Sequence, residues 1–237
     1  SSSFDIVHVC GSSGLMALEL IVAKRLKVPV RVCHSHNTMC VHRLLDRILR
    51  PFMLRCATER LACGEDAGRW LFGDRGFNVV RNGRDLEALR FDSEKRKRIR
   101  RELGLSEDQI AVGHVGRFNE QKNHRRLIEV IAALRKRSDR YRLILVGDGA
   151  LLDQVRSNVV ANELEDSVLF LGRRDDVPDL LNAMDCMVLP SLYEGFPTVV
   201  VEWQANGLPC LVSDTVTREC AISSLVNYFS LNEPAES

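Results

Sequence analysis

The chain has 237 residues, 45% of them hydrophobic and 27% charged, which predicts a globular core in one large domain or two ordinary ones and argues against disorder. Its 33 basic and 32 acidic residues leave a net charge of +1, so nothing marks nucleic acid as the main partner. No apolar run approaches the roughly 18 residues that a membrane-spanning helix needs. The opening SSSFDIVHVC lacks the basic region and long apolar core of a signal peptide; it reads as a strand entered abruptly, which gives the expectation of a cytoplasmic fragment.

The first elements alternate between strand and helix. FDIVHVC (4–10) reads as a strand and LMALELIVAKRL as a helix. VPVRVC (28–33) is the next strand, followed by a helix through VHRLLDRILRPFMLRC. TERLAC (58–63), the short helix EDAGRWLF and the strand FNVVRNG (77–83) complete this part. RDLEALRFDSEKRKRIRRELGL is charge-rich and reads as a connector running into an exposed helix. Its basic cluster (94–104) is either a solvated face or a contact for anionic lipid.

A second series follows. IAVGHVG (110–116), YRLILVG (141–147), SVLFLG (167–172), DCMVLP (185–190), PCLVS (209–213) and LVNYFS (225–230) read as strands. Helical patterns such as HRRLIEVIAALRKR and GALLDQVRSNVVANEL separate most of them. Strands alternating with helices predict βαβ units and parallel sheets. The predicted division is a partial N-terminal domain, 1–85, lacking its opening βα units, and a complete C-terminal domain, 86–237.

Eight cysteines occur, and Cys10, Cys33, Cys63, Cys186 and Cys210 lie in or beside apolar runs. With no CxxC pair, reduced and buried thiols are expected.

Ligands of open α/β sheets bind at the carboxyl ends of strands, and several marked residues fall there. Arg117 and Lys122 follow the strand ending at Gly116; a guanidinium fork and a movable ammonium five residues apart can share one anion. VGDGALLDQV (146–155) has neither GxGxxG nor GxxxxGK[ST] and reads as a turn and helix start. Arg173 and Arg174 stand where a loop can meet a base or ribose, with Asp175 or Asp176 capping the next helix. His34 and His36 in VCHSHNT end a strand. A metal between them has no carboxylate or cysteine partner set in the sequence, so histidines turned towards a cleft are the favoured reading.

The stretch PSLYEGFPTVVVEWQANGLP (190–209) sets strand-forming valines between a Gly-Phe-Pro turn and an Asn-Gly stop. The reading adopted is a loop and a helix beginning near Pro197. Its unpaired amides and positive dipole end suit a diphosphate, Gly195 allows close approach, and Glu194 and Glu202 can accept hydrogen bonds from sugar hydroxyls. The bland alternative leaves both acids exposed or ion-paired.

Taken together, GRFNEQKN, LILVGDG, VLFLGRRDDVPDLL and DCMVLPSLYEGFPTVVVEWQANGLPCLVSD resemble the retaining glycosyltransferases of family 4, also called group 1, in the form found in capsular and exopolysaccharide enzymes. The resemblance is strong from residue 110 to about 220 and weaker in VCHSHNT and VVRNGRD. It implies an α/β, GT-B-like fold of two Rossmann-like, doubly wound parallel-sheet domains facing each other across a cleft, the N-terminal one incomplete here. It implies a hexosyltransferase-type enzyme moving a sugar from a nucleoside-diphosphate donor, UDP by first choice, to a saccharide or lipid-linked acceptor, with peripheral membrane association.

Arg117 and Lys122 match the pair that neutralises the diphosphate. Glu194 and Glu202 match the two acids of an E-x7-E motif, at the donor sugar and the ribose. Amides of Phe196, Thr198 and Val199 match the phosphate contacts, Pro197 having no N–H to give. His34 matches a cleft histidine near the reacting sugar. No metal and no cofactor is expected, since protein cations stabilise the leaving group. Because the opening glycine-rich loop and the last helices of the family are missing, the fragment alone is expected to bind donor weakly and catalyse nothing. A UDP-sugar epimerase of the same architecture, or a non-catalytic remnant that binds sugar nucleotide, are the alternatives.

Overall fold

The computed structural model describes residues 4–235. They form two compact units. The first takes in the chain up to Gly83 together with Tyr193–Phe196, and the second takes in Arg84–Leu192 and the chain from Pro197 onward.

The first unit runs β1 (Ile6–Gly11), α1 (Ala17–Arg25), β2 (Val30–Ser35), α2 (Arg43–Cys56), β3 (Glu59–Ala62), α3 (Glu65–Phe72) and β4 (Asn78–Val79). All four strands are parallel, in the order β1-β2-β3-β4. Because successive strand residues point to opposite faces, Val9 and Cys33 join the core of Leu20, Met53, Leu71 and Phe72, while His8, Cys10 and His34 take the other face. The strand expected over 77–83 is only two residues long; Arg81, Asn82 and Gly83 are turn-forming and lie outside the sheet.

The second unit opens with α4 (Leu86–Leu89) and α5 (Ser93–Glu102). It continues β5 (Ile110–Val115), α6 (His124–Arg137), β6 (Tyr141–Val146), α7 (Leu152–Ala161), β7 (Val168–Gly172), α8 (Val177–Leu181), β8 (Cys186–Leu189), α9 (Thr198–Asn206), β9 (Cys210–Ser213) and β10 (Val226–Phe229). The parallel order is β10-β9-β8-β5-β6-β7. The chain therefore leaves β5 towards β6 and β7, then returns to β5's other side for β8, β9 and β10. β5 and β8 are neighbours that lead off in opposite directions, and the crevice beyond their carboxyl ends is the topological switch point of a doubly wound sheet. Val112, Leu127, Ile131, Leu143, Leu145 and Val188 fill the core beneath it.

The basic cluster over 94–104 is divided: Lys97, Arg98 and Arg101 are exposed, while others are committed to contacts within the unit. Arg100 is only 2% exposed, donating to the Asp185 carboxylate and to the carbonyls of Ala183, Ser106 and Gln109. Arg96 reaches Asp185 and the carbonyls of Asn182 and Met184, and Lys95 and Arg98 share Asp179. Asp92 caps α5, accepting from the amides of Glu94 and Lys95. The charges that read as surface thus bind α5 to the segment between β7 and β8. No helix among the described residues is long and apolar enough to cross a membrane.

Candidate functional site

α9 answers the ambiguity of its valines. Val200, Trp203, Gln204 and Asn206 are its buried residues, and their near-helical spacing puts one face into the unit; that burial outweighs the strand preference of Val199, Val200 and Val201. Asn206 donates to the Leu89 carbonyl, and the helix ends at Gly207, left-handed at φ 90°. At the other end, Pro197 occupies the N-cap position. Val200 N–H turns back to the Pro197 carbonyl at 3.1 Å, while the first-turn amides of Thr198 and Val199 have no intrahelical acceptor. They stand at the positive end of the helix dipole, where an anion is stabilised.

The loop after β5 is built with similar care. The Asn119 side-chain oxygen accepts from Lys122 N–H at 3.1 Å, and Asn123 takes a left-handed conformation before α6 begins. Leu192 N–H donates to the Gln121 carbonyl at 2.8 Å, so the segment leading to α9 lies against the Arg117–Lys122 loop. The hydroxyls of Ser213 and Thr215 hold the Ser191 carbonyl. Arg117 is exposed and Lys122 half-buried, and both flank the β5/β8 switch point.

GDG after β6 does more than start a helix. A side chain on Gly147 (φ 140°) would lie 2.0 Å from the Gly116 oxygen, and one on Gly149 (φ 156°) would lie 2.4 Å from the Phe118 oxygen. These two glycines let the β6 loop bed directly on the backbone that carries Arg117. Beneath Gly116 sits the buried His114, its Nδ1 on the Val188 carbonyl at 2.8 Å. His124 packs edge-on to it and stacks on Phe118. Burial pushes His114 well below the ordinary imidazole range and His124 down to about 4, so both rings are neutral supports.

Glu202 carries an ion pair with Arg84, a partner 118 positions away that no local pattern points to. Arg174 is committed to Asp176 and Glu102, which hold its guanidinium above its usual range. Asp176 stands at the N-cap position of α8, but its carboxylate is taken by Arg174 and makes no cap hydrogen bond. That corrects the expected cap. Arg173, in the same loop, is exposed.

In the first unit, Glu194 is 9% exposed and its carbonyl accepts from the Thr38 hydroxyl at 2.8 Å. A side chain on Gly195 would lie 2.3 Å from the His36 oxygen and 2.7 Å from Asn37 Cα. The close approach that Gly195 allows is therefore to this chain's own backbone. His34 is 5% exposed, stacks on His8, and meets the tilted ring of His36. Burial, reinforced by the neighbouring imidazoles, pushes it down to about 4. All eight cysteines are free, and Cys10 is exposed: it lies on the face of β1 opposite the core, so its apolar neighbours do not bury it.

The family described as glycosyl transferases group 1 matches residues 95–229. The chain belongs to the group 1 glycosyltransferases. A putative glycosyltransferase, EpsF, of Bacillus subtilis (strain 168) is 40% identical over 96% of this chain and 62% of its own length. The UDP-Gal:alpha-D-GlcNAc-diphosphoundecaprenol alpha-1,3-galactosyltransferase of Escherichia coli is 32% identical over 93% of this chain and 60% of its own. The chain thus spans about three fifths of these relatives. The crystal structure of Anabaena HepE in complex with UDP-glucose superposes with a TM-score of 0.84 at 22% identity, covering 98% of this chain and 66% of that one. WaaG, a glycosyltransferase involved in lipopolysaccharide biosynthesis, does so at 0.73, with 18% identity, 93% and 70%. The fold is the GT-B type, two Rossmann-like parallel-sheet units.

Proposed function

We propose that the protein containing this chain is a retaining glycosyltransferase that moves a sugar from a nucleoside diphosphate, UDP by preference, to a saccharide or lipid-linked acceptor in cell-surface polysaccharide synthesis. One observation carries the reading. The Arg117–Lys122 loop and the free first-turn amides of α9 flank the same switch point, joined through the Leu192 to Gln121 hydrogen bond. Two cations and two unpaired amides fit a diphosphate, whose negative charge grows as the bond to the anomeric carbon breaks. Charge-assisted bonds of this kind contribute about 1.5–3 kcal/mol each.

The family resemblance supports the following roles. Gly116 gives the loop its close path, and Arg117 and Lys122 neutralise the leaving diphosphate. Thr198 and Val199 donate their amides, with Phe196 N–H beside them and Pro197 orienting the turn. Glu202, steadied by Arg84, receives the ribose hydroxyls, and Arg173 is the remaining side chain for the base. Glu194 and neutral His34 serve the donor sugar, a lone pair or N–H on an uncharged imidazole being suited to a hydroxyl. Because the leaving phosphate can take the acceptor's proton, attack from the leaving-group face needs no separate strong base. Protein cations carry the role that a metal plays in other transferases, and no cofactor is required.

The test uses the full-length protein. A nucleotide-sugar screen by calorimetry should give micromolar to millimolar donor binding, weakened at least about tenfold by Lys122→Ala, a loss near 1.4 kcal/mol. Product analysis should show a new glycosidic bond with the donor's anomeric configuration. Absence of donor binding, or isomerisation of the donor without an acceptor, overturns the reading.

A further inference from the structure

A third residue stands beside the first unit's histidines, hidden by sequence order. In the parallel register of β1 and β2, Cys10 pairs with His34. His8 lies two residues before Cys10, on the same face of the sheet. His8 Nε2 and His34 Nδ1 are 3.2 Å apart, and one ligand nitrogen of each ring and the Cys10 sulfur all lie within 4.8 Å of one another. His8 and Cys10 are exposed, and His34 is buried with its Nε2 unpartnered.

The spacing can be compared with what a cation demands. A tetrahedral zinc takes nitrogen at about 2.0–2.1 Å and sulfur at about 2.3 Å, which separates its ligand atoms by roughly 3.4–3.6 Å. The observed separations bracket that range. A movement of about 1 Å by the Cys10 side chain completes three ligands, with a fourth position left to solvent. Two imidazoles and a thiolate favour zinc, cobalt, nickel or copper and give no advantage to magnesium or calcium, which prefer oxygen. The donors sit on adjacent hydrogen-bonded strands, so their backbone spacing is fixed before any ion arrives.

We infer that His8, Cys10 and His34 form a binding site for a borderline divalent cation of the zinc type, and that its occupation inhibits the enzyme. The inhibitory half rests on the proposed role of His34 at the donor sugar: a cation on Nδ1 pins the ring and draws electron density from it. The ion is a regulator and takes no part in transfer.

Cobalt(II) is the probe, added to the reduced full-length protein. One equivalent should give a thiolate-to-cobalt charge-transfer band together with the visible bands of a tetrahedral ion, both removed by zinc. Cys10→Ser should abolish the charge-transfer band, while Cys40→Ser leaves it intact. His8→Ala should weaken binding by more than about tenfold, the loss that even an outer partner's removal produces. No band at equimolar cobalt, or a band that survives Cys10→Ser, overturns the site. Zinc should also slow transfer by the parent protein and leave Cys10→Ser, whose basal rate is unchanged, unaffected. Parent activity insensitive to saturating zinc overturns the inhibitory role. If no donor sugar is transferred at all, the proposed function fails, and the cobalt spectrum still decides the site.

Discussion

Gly147→Ala tests whether the β6 loop sets the position of the donor's cations. The added Cβ would lie 2.0 Å from the Gly116 oxygen and 2.9 Å from its carbonyl carbon. Carbon and carbonyl oxygen in close contact normally stay about 3.3 Å apart, so the two backbones must part by roughly 1 Å. The residue would also keep φ near 140°, a strain of about 1–3 kcal/mol for a side-chain-bearing residue. A 1 Å displacement of a positioned group lowers the rate about a hundredfold, equivalent to roughly 2.7 kcal/mol. Steady-state transfer kinetics on the full-length protein should therefore show kcat/KM falling about a hundredfold, with a stability loss of a few kcal/mol in urea. Gly104→Ala is the control: φ there is 68° with open space around it, so it should cost about 1 kcal/mol of stability and leave kinetics within twofold. A folded Gly147→Ala protein with parental kcat/KM would refute the idea that this glycine seats Arg117 and Lys122.

Three further outcomes are expected. Arg100→Met should cost about 3 kcal/mol by chemical denaturation, because it strands the buried carbonyls of Ala183, Ser106 and Gln109; a change under 1 kcal/mol contradicts the assigned role of Arg100. His124 is neutral when folded, at about 4, against 6.5 when unfolded. The unfolded chain therefore binds more protons between those values, and stability falls as pH drops, by about 2 kcal/mol from pH 7 to 5. Denaturation midpoints should show this loss reduced in His124→Phe, and an equal acid loss in both proteins refutes the assignment. For Arg84 and Glu202, a double-mutant cycle (Arg84→Ala, Glu202→Gln) on donor KM should give a coupling of about 1 kcal/mol, whereas strict additivity would show that the pair does not act together on the donor.

The strands and most helices were legible because their patterns are local. α6 and α3 match their apolar periodicity from end to end, and α9 was readable as a helix from its Pro-197 entry and Asn-Gly exit. Arg117, Lys122 and the α9 amides were legible as a group because each follows a strand, and strand ends converge in parallel sheets. What escaped was pairing at long range. Glu202 with Arg84, Arg100 with Asp185 and Cys10 with His34 join positions whose proximity follows from strand order and register, and no window of sequence contains it. The ion pair of Arg174 escaped for a related reason: an arginine at a strand end looks unpaired until Glu102, 72 positions earlier, is brought to it. The purpose of the GDG turn was likewise invisible, since the backbone it accommodates belongs to another strand's loop.

The grip of α5 on the segment between β7 and β8 also decides where a free-standing second unit can begin. The family match starts at residue 95, yet the Asp92 side chain caps the helix and its amide donates to Asn182. Leu89, in turn, receives Asn206 from the end of α9. A polypeptide started at Lys95 would lose the cap, the Asn182 bond and the anchor of α9 together, and would open α9 from its far end. A polypeptide started at Arg84 keeps all three, along with the partner of Glu202. The stretch that reads as a linker is the second unit's own first layer.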